Sequence, residues 1–180
     1  LNRVTQRTGC HDPAMPTTTV NDIDICYESF GPDDAPPLLL VMGLGAQMTL
    51  WSTGFISELL ERGFRVIRFD NRDVGLSTKT AGDPPDVMAL YVQSMAGEPV
   101  EAPYTLTTMA ADAVGLLDAL GISAAHIVGA SMGGMIVRRL VLRDPTRFDA
   151  LVLMDTSPGP VPTLDAEIID LGVQIAKEQG

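Results

Sequence analysis

The sequence predicts an α/β protein built on a mostly parallel sheet with helices on both faces. Three observations carry that reading. From residue 38 onward, strand-like apolar runs alternate with segments of helical periodicity, the pattern of strand–helix–strand crossovers. The run at 38–41 has no in–out alternation, as expected of a strand covered on both faces. The stretch Gly129-Ala130-Ser131-Met132-Gly133 lies between an apolar strand-like run and a helix-like run, a G-x-S-x-G pattern in a strand–turn–helix context.

Taken in order, residues 1–16 read as a disordered extension. The chain opens on Leu1, and its two early arginines have no apolar core behind them, so no secretory signal is indicated. Residues 17–20 and 23–30 read as strands around an Asn21-Asp22 turn, with Ile23, Ile25 and Tyr27 alternating with Asp24, Cys26 and Glu28. After a proline-rich loop comes the buried strand 38–41, which runs into Met42-Gly43-Leu44-Gly45. A helix over 51–62 is ended by Gly63, and a strand over 65–69 runs into the loop 70–77. Residues 78–104 are irregular and fit either a short helix or a long surface loop. Residues 106–120 form an amphipathic helix closed by Gly121. The strand 125–128, the turn at Ser131 and a helix over 135–143 follow, stopped by Asp144-Pro145. A buried strand over 150–154 ends at Asp155, and 164–178 reads as a helix. The organisation expected is a core over 17–160, followed by the start of a cap over 161–180.

The bulk properties narrow the function. With 46% hydrophobic and 19% charged residues, a chain of 180 is ordinary globular material for one domain. A formal net charge of −11 argues against nucleic acid or an anionic membrane as partner. Cys10 and Cys26 have no metal-ligand spacing and read as reduced thiols. No metal or cofactor is called for. No apolar run reaches membrane-spanning length, and a cytoplasmic location is expected.

The chemistry dictates the residue types around Ser131. A serine nucleophile must project its hydroxyl while the chain reverses around it, which strains its backbone. Gly129 and Gly133 remove the side chains that would collide as strand and helix close up. The Met132 amide then points to the space beside the serine oxygen, where a tetrahedral oxyanion forms.

With this elbow, the Met42-Gly43-Leu44-Gly45 turn and Phe69-Asp70-Asn71-Arg72-Asp73-Val74-Gly75-Leu76-Ser77 in hand, the chain resembles the α/β-hydrolase superfamily. It looks most like its serine esterase and lipase branch, which includes bacterial carboxylesterases and anthracycline methylesterases. The resemblance covers about residues 17–180. It implies an eight-stranded sheet with a cap after the sixth strand, of which strands one to six and the start of the cap are present here. It implies Ser131 as nucleophile, the amides of Leu44 and Met132 as oxyanion donors, and a bend at Gly43 that faces the Leu44 amide to the site. Many members have histidine where Met42 stands; the donor is backbone, so the change costs the hole nothing. No cofactor is implied, and the substrate class is a small, apolar ester.

The family orders its triad serine, acid, histidine, whereas His11 and His126 both precede Ser131. His126 lies five positions upstream on the same strand, roughly 16 Å away at strand rise, and reads as structural. His11 falls in the extension. Asp155, ending the sixth strand, is the acid candidate, with a turn or helix-cap role as the alternative. Asp70 and Arg72 read as loop buttresses.

The expectation is a C-terminally truncated serine hydrolase, inactive by itself and prone to self-association along an open sixth strand. Met48, Trp51, Met88, Tyr91 and Met95 are candidates for an apolar pocket, with core packing as the alternative for Trp51. Serine in place of aspartate disfavours haloalkane dehalogenase and epoxide hydrolase chemistry. It leaves perhydrolase, lactonase and carbon–carbon hydrolase chemistry open, beside a non-catalytic binding protein.

Overall fold

A computed structural model describes residues 15–83 and 86–156. The expected extension lies outside them except for Met15 and Pro16, and the Pro16 carbonyl accepts a hydrogen bond from the Tyr27 amide (3.1 Å). Cys10, His11 and the expected cap helix over 164–178 also lie outside the described residues.

The first two strands, β1 (Thr17–Val20) and β2 (Ile23–Phe30), pair antiparallel. Asn21 and Asp22 between them have φ of 47° and 64°. Two successive left-handed residues make the hairpin turn whose twist matches that of its strands, and Asn and Asp tolerate it best after glycine. The chain continues through β3 (Pro37–Val41), α1 (Thr53–Glu61), β4 (Arg65–Phe69), α2 (Val87–Met95) and α3 (Leu106–Ala119). The described residues end with β5 (Ala125–Ala130), α4 (Met132–Arg143) and β6 (Phe148–Met154). Single 3-10 turns occupy Met48–Leu50 and Pro145–Arg147.

The six strands lie in the order β1-β2-β4-β3-β5-β6. β4, β3, β5 and β6 are mutually parallel, while β2 joins β4 antiparallel. The chain leaves β3 to one side for β4, then crosses to the other side for β5. At such a reversal the connections after two neighbouring strands diverge and leave a crevice at their carboxyl ends. That crevice is where the turn after β3 and the turn after β5 meet.

Two apolar layers hold the sheet. On one face Leu39 and Val41 pack with Ile67, Ile127, the α3 residues Ala113, Leu116 and Leu117, and the α4 residues Ile136, Val137 and Leu140. On the other, Leu38 and Leu40 pack with Val66, Val128, Trp51 and Ile56. Successive β3 residues feed opposite layers, which is why its sequence shows no alternation. Each such side chain, fully buried, stabilises the fold by about 1.5–3 kcal/mol.

The structure corrects several expected boundaries and faces. α1 begins at Thr53 because Ser52 caps it, its hydroxyl accepting from the Phe55 amide (3.2 Å). Trp51, just before the cap, packs with Ile56 in the α1-side layer, as in a hydrophobic staple. α4 begins at Met132, three residues earlier than its periodicity suggests. In β2 the polar positions are not all outside: Cys26 and Glu28 are buried. Cys26 donates its amide to the Ser77 hydroxyl, and Glu28 pairs with Arg68.

β6, read as an apolar strand with an open edge, exposes Leu151, Val152, Leu153 and Met154 at the margin of the sheet among the described residues. An exposed apolar edge is a template for pairing with another chain. Val152→Lys is therefore expected to suppress concentration-dependent association of residues 1–180 in sedimentation. Its stability cost should stay within about 0.5 kcal/mol, as for an ordinary surface change. Unchanged association would show that β6 is not the sticky edge.

Candidate active site

β5 ends at Ala130 and α4 starts at Met132, so the whole reversal falls on Ser131, with φ 53° and ψ −124°. A residue with a Cβ held there costs on the order of 1–3 kcal/mol. The flanking glycines make the turn possible. A Cβ on Gly129 would lie 2.6 Å from the Gly133 carbonyl oxygen, and one on Gly133 would lie 2.2 Å from that of Val41. Ser131 is exposed and occupies the N-cap of α4, yet its hydroxyl makes no capping bond. A serine there ordinarily turns its oxygen back to the helix amides. Met132 is the first helical residue, so its amide has no acceptor within the helix and sits at the positive end of the helix dipole.

The turn after β3 closes against this corner. A Cβ on Gly43 would stand 3.0 Å from the Ser131 Cβ and 3.4 Å from its Oγ. A side chain there would crowd the serine, so proximity favours glycine at 43. Gly45 supplies the left-handed residue, with φ 65°, inside a turn closed by the Ala46 amide on the Gly43 carbonyl (3.4 Å). Leu44, second in that turn, keeps its amide out of the turn's own hydrogen bond, and its side chain is exposed.

From the other flank, β6 grips the serine's backbone. The Ser131 amide donates to the Met154 carbonyl (2.9 Å), and the Thr156 hydroxyl donates to the Ser131 carbonyl (2.6 Å). Asp155, between these two residues, is exposed and has φ 47°. The structure therefore brings Ser131, Met132, the Leu44 turn and Asp155 to the carboxyl ends of β5, β3 and β6. Thr156 was not foreseeable: no local pattern distinguishes it.

The end of β4 supports the site from below. Asp70 is fully buried and accepts from the amides of Met48 (2.8 Å) and Leu76 (3.0 Å). The Asn71 side-chain amide donates to the Met42 carbonyl (3.0 Å). Arg72 forms a two-point pair with Asp112 (2.6 and 2.8 Å), stacks over Tyr104, and is held more firmly protonated chiefly by that pair. Burial pushes the Tyr104 hydroxyl up to about 12, reinforced by its hydrogen bond to Asp73. The Asp73 carboxyl lies below its usual range. Its burial acts the other way and is outweighed by hydrogen bonds from the Thr80 amide, Tyr104 and the Thr80 hydroxyl, and by the Lys79 charge. Asp70 and Arg72 are thus occupied in fastening loops.

His126 faces Leu38 near the amino end of β5, with its ring edge-on to Phe64 at 5.3 Å. It stands at the far end of the strand from Ser131. Met48 and Trp51 are buried in the core rather than lining a cleft, while Met88 and Met95 are exposed on α2. Among the described residues no group of three or more His, Cys, Asp and Glu gathers as a metal site. No described helix is long and apolar enough to cross a membrane.

A family model for the alpha/beta hydrolase fold matches residues 36–176. The rhodomycin D methylesterase DnrP of Streptomyces peucetius is 34% identical over 143 residues, 78% of this chain and 42% of that protein. The enol-lactonase of Burkholderia xenovorans superposes with a TM-score of 0.62 at 28% identity, over 79% of this chain and 47% of that one. A hydrolase from Pseudomonas aeruginosa superposes with a TM-score of 0.66 at 29% identity, over 91% and 52%. The chain spans about half the length, or less, of the relatives it matches.

Proposed function

The chain belongs to the α/β-hydrolase fold family, and from that premise we propose that it carries the nucleophile and oxyanion donors of a serine hydrolase acting on small carboxylic esters. The observation that supports this best is the strained, exposed Ser131 with its hydroxyl left uncapped, faced by the turn that bears the Leu44 amide. In this reading Ser131 Oγ attacks the ester carbonyl and the leaving alcohol departs, giving an acyl-enzyme that water then hydrolyses. The amides of Leu44 and Met132 hold the oxyanion, each worth about 3 kcal/mol in the transition state. The methylesterase and the enol-lactonase are named for reactions at an ester-type carbonyl, the step these groups would serve. The exposed Leu44 side chain gives an apolar contact for such a substrate.

The general base is the part not supplied by these residues, since His126 is turned into Phe64 at the wrong end of β5. That observation favours a second reading, a protein that binds at Ser131 without turnover. Asp155 is held beside the elbow and is the acid candidate of the first reading.

A fluorophosphonate probe separates the two when applied both to residues 1–180 and to the reading frame translated to its first stop codon. Labelling of the complete reading frame at Ser131, abolished in Ser131→Ala, is expected for the hydrolase. A well-folded complete product left unlabelled would favour the binding protein. Residues 1–180 alone should show little ester turnover.

A further inference from the structure

The segment that bears the Leu44 amide is fastened by three side chains at the end of β4, the strand next to β3 in the sheet. Asn71 donates to the Met42 carbonyl at one end (3.0 Å), and Asp70 accepts from the Met48 amide at the other (2.8 Å). Arg68 donates to the carbonyls of Met48 (3.3 Å) and Trp51 (2.6 Å). Asn71 is 2% exposed, Asp70 0% and Arg68 7%, so little water competes for these bonds. The Met42 carbonyl also has a wall behind it: a Cβ on Gly133 would lie 2.8 Å away. It is held between the first turn of α4 and the Asn71 amide.

The Met42 carbonyl belongs to the peptide that leads into Gly43. Rotation of that peptide swings Gly43 and, with it, the direction of the Leu44 N–H. We propose that Asn71 is a positioning residue for the oxyanion donor: its side-chain amide fixes the Met42–Gly43 peptide so that the Leu44 N–H faces the Ser131 hydroxyl. The catalytic part of this proposal rests on the serine-hydrolase reading. A merely structural Asn71, satisfying a buried carbonyl, would affect stability alone. A positioning Asn71 acts on the transition state, because the donor meets full negative charge only there, so kcat falls while KM holds.

The test compares wild type, Asn71→Leu (same bulk, no donor) and Asn71→Asp (acceptor in place of donor) in the complete reading frame. Steady-state hydrolysis of a nitrophenyl ester is measured together with amide hydrogen exchange over residues 43–47. The expected result is a kcat lower by about 10–100-fold, less than the ~10²–10³ for losing a donor outright, with KM within twofold. Exchange over 43–47 should quicken in both variants while that of β1 and β2 does not change.

A kcat within twofold of wild type, or a loss confined to KM, would overturn the assignment. Should wild type neither turn over nor take the probe at Ser131, the serine-hydrolase reading itself is lost. Exchange then decides whether Asn71 holds the turn, and unchanged exchange over 43–47 refutes it. If Asn71→Leu does not fold, Asn71→Asp and Asn71→Ala carry the same comparison.

Discussion

Ser131→Gly is expected to abolish ester turnover in the complete reading frame and yet to raise its melting temperature. Removing a nucleophilic serine from an assembled hydrolytic site costs about 10⁶-fold in kcat. The stability gain comes from the backbone. At φ 53° and ψ −124° the serine Cβ is forced against its own chain, a strain on the order of 1–3 kcal/mol. Glycine relieves it, and the extra unfolded-state entropy of glycine takes back roughly 0.5–1 kcal/mol. A net gain of up to about 2.5 kcal/mol corresponds to a rise of up to about 10 °C in a domain of this size. Ser131→Ala should lose the same activity and gain no stability, since alanine keeps the Cβ. Calorimetry of the two variants side by side checks this. A glycine variant melting at or below the alanine variant would mean that the corner is not strained.

Glu28→Ala should damage the fold severely, lowering stability by about 3–5 kcal/mol, the usual penalty for stranding one partner of a buried ion pair. Arg68 and Glu28 meet at 2.5 Å, with their side chains 8% and 5% exposed. Without the carboxylate, the guanidinium stays buried against the Met48 and Trp51 carbonyls and the Phe30 ring, with no counter-charge. At about 2–4 °C per kcal/mol, the melting temperature should fall by roughly 6–20 °C. Replacing both partners with apolar residues is often nearly neutral for a buried pair. Here it should not be, because the Trp51 carbonyl would lose its donor, at about 1–3 kcal/mol when left unsatisfied, while the Met48 carbonyl would keep the Trp51 amide. Chemical denaturation of Glu28→Ala and of Glu28→Leu/Arg68→Met distinguishes these outcomes. A double variant as stable as wild type would show that Arg68 serves Glu28 alone.

The sheet and the elbow were legible because their signals are local. β3 announces itself by four apolar residues without alternation, and the reversal at Ser131 by glycines two positions to either side. What was not legible depends on partners distant in sequence. Glu28 alternates as a solvent-facing residue should, and only Arg68, 40 positions on, explains its burial. Met48 looked like pocket material by composition, but its place under Asp70 puts it inside, and Trp51 takes the core-packing alternative in the α1-side layer. α2 lacked a clear signal since its apolar residues Met88, Val92 and Met95 face outward. Thr156 reaches the serine carbonyl by tertiary placement that no spacing rule encodes.

The pairing of β3 with β5 joins Leu38 to His126, so about 90 residues separate the two halves of the crevice along the chain. At about 5–20 residues per second of synthesis, a ribosome needs roughly 4–18 s between making one half and the other. Until β5 is made, β3, greasy on both sides, has at most β4 to lie against and nothing opposite. A nascent chain caught there is a natural client for a chaperone, and slowing translation between codons 42 and 125 should lengthen that dependence.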